Sequence, residues 1–197
     1  MPVVRTEQIS RFSDMKIVGS DGNLLGWVHG FSFAAVGDWR VTSIALKLEK
    51  ESHRELGVKK PIMGAAIVDM GVDNIKTVSD NILLKVPQRM MKSNLKPHVP
   101  GKDITDVIEK RVIDKNGTDL GVVVDVMMDT ETWRFPSILI KLDKEVRAML
   151  RKGKCPDCGK SVTLPMLEVS SVGDHVMLVI TKEQLGDMVQ KAPVRTM

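Results

Sequence analysis

Cys155-Pro-Asp-Cys158-Gly-Lys is the one short run whose residue types and spacing could do chemistry unaided. A Cys-Pro-x-Cys-Gly turn is similar to a zinc knuckle, in which both thiolates aim at one tetrahedral ion. A structural zinc takes four ligands and the chain has only two cysteines. A histidine, a carboxylate or the same knuckle of a second chain would have to complete the site. A redox pair is the second reading, because Lys152, Lys154 and Lys160 stand close enough in sequence to lower a thiol pKa. Against it, the strand-to-helix setting of a thioredoxin-like site is missing. The third reading is two loop thiols, reduced or joined, with no chemical task. Metal content of protein purified without chelator separates these, since no zinc at any stoichiometry removes the metal reading.

Other reaction centres leave no trace. There is no Gly-rich phosphate loop, no Gly-x-Ser-x-Gly elbow and no His-Glu-x-x-His helix, and the four histidines stand far apart. Asp114-Lys-Asn-Gly-Thr-Asp119 has the look of a calcium loop, but its glycine comes at the fourth place instead of the sixth. It reads as a hairpin turn. No catalytic residue is nominated, and the chain reads as non-enzymatic.

Composition bounds the remaining classes. Of 197 residues 43% are apolar, enough for real cores in one domain or two. The net charge of +4 comes from 29 basic and 25 acidic residues interspersed along the chain, so nucleic acid is permitted without being implied. Apolar runs are far shorter than the roughly 20 residues of a membrane-spanning helix, and the sparse cysteines fit a reducing cytoplasm. Aromatic residues are scarce at 4%, with no tyrosine, whereas 13 methionines suit irregular core gaps.

The elements that position everything else are repeated. Trp39-Arg-Val-Thr-Ser-Ile-Ala-Leu-Lys-Leu-Glu-Lys-Glu51 returns as Trp133-Arg-Phe-Pro-Ser-Ile-Leu-Ile-Lys-Leu-Asp-Lys-Glu145, with eight of thirteen positions identical. Both copies alternate apolar and polar residues, the pattern of a half-buried strand. A shift of 95 lays Ile9–Gly26 on Ile104–Gly121, and after one deletion a shift of 94 holds from Trp39 to Val86. One gap in about eighty positions indicates duplication. Asp21-Gly22 and Asn116-Gly117 are tight-hairpin signals. The strand after each is predicted to show Trp27, His29, Phe31 and Phe33, or Val122, Val124, Val126 and Met128, on one face. His29 aligns with Val124 and reads as a core histidine.

Short helices are predicted after the third strand, at Glu145–Leu150 and more weakly at Glu51–Leu56. Further strands are expected around Ala66–Val68, Ile75–Val78 and Ile82–Val86, and around Val162–Leu164, Leu167–Val169 and Val176–Ile180. Thr181-Lys-Glu-Gln184 is a capping-box pattern opening a C-terminal helix that closes an end of the second unit. Lys96-Pro-His-Val-Pro-Gly-Lys102 reads as a linker. The domains are thus 1–95, a linker at 96–102, and 103–197 with the Cys-x-x-Cys insertion and the C-terminal helix.

The run hydrophobic-Asp/Asn-Gly-x-x-Leu-Gly, a valine-rich strand, a turn and a strand ending Lys-Leu-x-Lys resembles the PRC-barrel family, over residues 9–86 and 104–180. That family includes the cytoplasmic domain of the photosynthetic reaction centre H subunit, the C-terminal domain of the ribosome maturation factor RimM and stand-alone archaeal proteins. The resemblance implies a mainly all-β chain of two tandem barrels of about six strands each, acting as cytoplasmic adaptors that bind proteins without catalysis. The chain lacks the transmembrane helix of the first relative and the N-terminal domain of the second. The archaeal type remains, some of whose members are similar to cell-division scaffolds, which implies division-ring or membrane-anchor partners and admits self-association.

The candidate partner surface is Pro61-Ile62-Met63-Gly-Ala-Ala-Ile67, unusually apolar where the other copy has the charged knuckle. It is either a binding face or packing between the barrels. The alternative function is an RNA- or ribosome-associated factor resembling RimM, for which Arg147, Arg151, Lys152, Lys154 and Lys160 would supply charge. The shortage of aromatics leaves few stacking platforms for bases.

Overall fold

The structure is a computed structural model that describes residues 6–34, 39–59, 61, 64–100, 103–152 and 160–191. The chain divides into two compact units, Met1–Thr105 with Met128–Arg134, and Asp106–Met127 with Phe135–Met197. The first contains β1 (Thr6–Gln8), β2 (Lys16–Val18), β3 (Leu24–Ala34), β4 (Arg40–Leu48), α1 (Lys50–Glu55), β5 (Ile67–Met70), β6 (Ile75–Val78), β7 (Ile82–Leu84) and β8 (Leu95–Pro97). The remaining elements are β9 (Arg111–Ile113), β10 (Asp119–Asp129), β11 (Arg134–Leu142), α2 (Lys144–Lys152), β12 (Ser161–Pro165), β13 (Val169–Val172), β14 (Val176–Leu178) and α3 (Lys182–Lys191).

Six strands recur in one order, β5-β4-β3-β2-β7-β6 and β12-β11-β10-β9-β14-β13. The register recurs with the sequence shift. Ile44 faces Met70 as Ile138 faces Leu164, and the parallel pair Ile17–Ile82 matches Val112–Val176. Period-two alternation sends Ile44, Leu46 and Leu48, or Ile138, Ile140 and Leu142, inward, and all six are buried. Each removes most of a side chain from water, worth about 2 kcal/mol apiece. Gly22 and Gly117 take φ of +80° and +82° in the two hairpins, the conformation the Asp-Gly and Asn-Gly pairs anticipate. Thr181 and Gln184 exchange the two hydrogen bonds of a capping box, at 2.9 and 3.2 Å, and α3 buries Leu185 and sets Gly186 against Leu150 of α2.

Three sequence expectations change. His29 is exposed, because a β-bulge interrupts β3: Val28 pairs with Leu46 and Gly30 with Ala45, leaving His29 as the extra residue. Phe31, beyond it, is buried, while Trp27 before it and Phe33 after a second shift at Ser32/Phe33 are only partly so. In β10, Val126 and Met128 are buried while Val122 and Val124 are only partly so. Met166–Glu168 is a 3-10 turn where a strand was expected at Leu167, and β13 starts only at Val169. Leu95–Pro97, the last residue of the first predicted domain and the first two of the predicted linker, forms β8 on β5.

Tryptophan opens the repeated strand in an unusual backbone state. Trp39 and Trp133 have φ of +50° and +54°, which costs a non-glycine residue about 1–3 kcal/mol. For Trp39 the offset is visible: its ring stacks on Phe33 with centroids 5.6 Å apart and planes 12° from parallel.

Two buried backbone requirements are met by different carboxylates in the two copies. In the second, Asp125 accepts from the Val126 N–H at 2.8 Å. The aligned residues of the first are Gly30 and Phe31, and there Asp103 accepts from the Phe31 N–H at 3.1 Å. A side chain on Gly30 would overlap the Asp103 carboxylate. Similarly, Asp114 accepts from the N–H groups of Thr118 and Lys182 at 2.8 and 3.0 Å. Its counterpart is Gly19, and Asp21 instead accepts from Asn23 and Gln88, the aligned donors, at 3.4 and 3.2 Å. A Cβ on Gly19 would collide with the Asp21 carboxylate. Glycine therefore stands twice where a carboxylate arrives from elsewhere.

Burial would by itself raise the Asp114 pKa, but hydrogen bonds from the backbone of Thr118, Lys182 and Asn116 outweigh it and hold the carboxyl below its ordinary value. Stability from the ionised group is therefore complete above the ordinary carboxylate range, about pH 4, and is lost as pH falls through the depressed folded value. Asp114→Asn is expected to destabilise the second unit at neutral pH by roughly 1–3 kcal/mol, with the difference from wild type shrinking on acidification. Amide exchange at Thr118 and Lys182 checks it; a difference that grows toward acid contradicts the assignment. For the other exchange, Asp103→Ala is expected to cost the first unit roughly 1–3 kcal/mol. Gly30→Asp combined with Asp103→Ala restores much of it by copying the Asp125 arrangement. All three tryptophans, Trp27, Trp39 and Trp133, belong to the first unit, so fluorescence-detected urea unfolding reads both variants.

Candidate functional site

The segment after β4 begins the site. Glu49 caps α1, its carboxylate accepting from the N–H groups of Glu51 and Ser52, which an anion at a helix N-terminus does favourably. Leu56 is buried and Gly57 turns the chain at φ +62°. Val58, Lys59 and Pro61 then lead toward β5.

The second wall comes from the chain after β7. The Gln88 N–H is held by Asp21, as above, and the Gln88 side chain donates to Ser52 Oγ at 2.7 Å. Ser52 in turn donates to the Leu24 carbonyl at 2.7 Å, so a buried polar chain ties the 3-10 turn Gln88–Asn94 to α1 and β3. Met91 is fully buried and Asn94 donates to Asn74 Oδ1 at 2.7 Å. Lys92 lies over the Gly57 turn, its Nζ 3.3 Å from where a Cβ would stand. The next three residues pair with β5 as β8, Val68 opposite Pro97 and Met70 opposite Leu95. His98 then donates from Nδ1 to Asp69 at 2.8 Å, and the Val99 N–H reaches the other Asp69 oxygen at 3.4 Å.

Between these walls lies an open groove of about 630 Å³. Val58, Ala65, Ala66, Ile67, Leu95 and Pro97 give it an apolar floor, and Lys59, Lys92 and Lys96 stand exposed along it. None of its lining residues is acidic, and none carries a hydroxyl or thiol. The arrangement offers apolar contact and positive charge.

Of the residues nominated from sequence, Pro61 is exposed and Ile67 half-buried, and both line the groove. Ile62 and Met63 lie outside the described residues, as do Cys155 and Cys158. Among the described residues no group of three or more His, Cys, Asp or Glu is placed to hold a metal ion. Of the basic residues named near the knuckle, Lys160 is exposed and Arg147 partly buried. Sequence reasoning missed Lys59, Lys92, Lys96 and His98. The last two fall in the stretch whose prolines suggested a linker, and the Leu95-Lys96-Pro97 alternation is too short to signal a strand.

No curated protein matches the chain. Among solved structures it aligns with a protein assigned as the 16S ribosomal RNA processing protein RimM from Pseudomonas aeruginosa, at 11% identity and a TM-score of 0.26, covering 79% of this chain and 98% of that one. No described helix is long and apolar enough to cross a membrane. The family model for the PRC-barrel domain matches residues 101–185, and the second set of six strands lies within that span, so this part of the chain is a PRC-barrel domain.

Proposed function

We propose that the chain is a non-enzymatic cytoplasmic adaptor that binds protein partners through the groove of its first unit. The observation that supports this is the groove itself, floored by apolar side chains and rimmed by lysines, beside β8, whose aligned residues in the second copy belong to α3. An exposed apolar concavity of this size is commonly an interaction site. Its one base-like pair, His98 with Asp69, has no hydroxyl or thiol among the lining residues to activate, which favours binding over turnover. Division-ring or membrane-anchor proteins are the partner class that the archaeal resemblance implies. Zinc at Cys155 and Cys158, closed by other ligands or by a second chain, would add a staple to the second unit and a route to self-association.

The alternative is an RNA- or ribosome-associated factor, which the same lysines and the mild excess of basic residues would serve.

Affinity capture of the tagged full chain from its native cytoplasm, with and without nuclease, separates the two. A protein partner that survives nuclease and is lost in Ile67→Glu is expected, with the unfolding of the variant within about 1 kcal/mol of wild type. Partners unchanged by Ile67→Glu contradict the groove. Ribosomal proteins released by nuclease favour the RNA reading.

A further inference from the structure

The groove is specific enough to define its occupant, an inference that rests on the adaptor reading. We propose that it takes an extended, acidic segment of a partner protein, with apolar side chains on the floor and Asp or Glu side chains against Lys59, Lys92 and Lys96.

Charge sets the class. Three ammonium groups line the groove and no carboxylate does. Asp69, opposite Lys96 in the β5–β8 register, accepts from His98 and the Val99 N–H. A segment carrying two or three carboxylates would neutralise the rim, whereas a basic one would add like charge to it. The lysines are exposed, so this attraction acts through solvent and weakens as salt shortens the screening length.

The floor sets the form. Ile67 of β5 and Leu95 and Pro97 of β8 are among its lining residues, apolar contacts open to the side chains of an extended chain. Recognition cannot rest mainly on adding a strand to β8, because β8 has three residues and one is Pro97, which lacks an N–H. Side-chain contacts must carry the specificity. Nucleic acid is the weaker fit: no Phe or Trp lines the groove and His98 is its one ring, so bases would find little to stack on.

The described residues of the second copy differ here. The segment aligned with Gln88–Pro97 is α3, which packs on α2, and among the described residues β12 pairs with β11 alone. Lys92 aligns with Gly186.

Selection of short random peptides displayed on phage against the full chain tests the proposal, with counter-selection on Lys59→Glu/Lys92→Glu/Lys96→Glu. Enriched peptides are expected to combine Asp or Glu with apolar residues, and a synthetic representative is expected to lose roughly tenfold or more in affinity in the triple variant and on raising salt. The Lys→Gln triple variant, which removes charge without reversing it, is expected to weaken binding in the same direction. Neutral or basic peptides that bind the groove overturn the acidic class while leaving the adaptor reading intact. No groove binder of any composition overturns both. A single-stranded RNA oligonucleotide that displaces the peptide and depends on the same lysines would replace the protein segment as occupant.

Discussion

A backbone N–H that turns inward beside a bulge or at the end of a hairpin must find an acceptor, and leaving one buried and unmet costs about 1–3 kcal/mol. In this chain carboxylates meet that requirement. The second copy holds them where they are needed, as Asp114 and Asp125. The first has glycine at both places and brings in Asp21 and Asp103. The electrostatic result is the same, but the chain that delivers it is different. Asp103 thereby anchors the residues after β8 onto Phe31, and Asp21 fixes the start of the turn that leads into β8.

Both copies anchor the start of the segment after the last strand in this way, and the segment itself then differs. Once Asp21 holds the Gln88 N–H, the Gln88 side chain can reach Ser52, Asn94 can reach Asn74, and Leu95–Pro97 can lie along β5. The same stretch in the second copy winds into α3 on its Thr181–Gln184 capping box. Duplication thus supplies two sets of six strands in one order. Among the described residues the copies diverge in the segment after the last strand, which in the first borders an open, lysine-rimmed groove.

How much of this is legible in the sequence depends on the length scale of the signal. Strands of nine residues with inward residues at every second place over most of their length, as at Ile44, Leu46 and Leu48, declare themselves, and so do the Asp-Gly turn, the capping box and the repeat. A bulge does not: one extra residue reverses the inward parity, so His29 reads as core while standing in solvent. Neither does β8, where three residues between prolines look like a linker until a neighbouring strand supplies their partners. The left-handed backbone of Trp39 and Trp133 has no composition cue either, because a tryptophan holds it only when packing such as the Phe33 stack compensates. Pro61 and Ile67 were found because they are apolar where the other copy is not. Lys92 and Lys96 were missed because they come from a segment well downstream of Pro61 and Ile67.

The claim that the first unit carries the working surface is tested most directly by photo-crosslinking in the native cell. A photoreactive residue placed at Pro61, in the groove, is compared with one at Ser161, the exposed start of the matching strand β12. The expected result is a discrete protein adduct from position 61, unaffected by nuclease, and none from position 161. An adduct confined to position 161, or one at position 61 that is RNA, would contradict it.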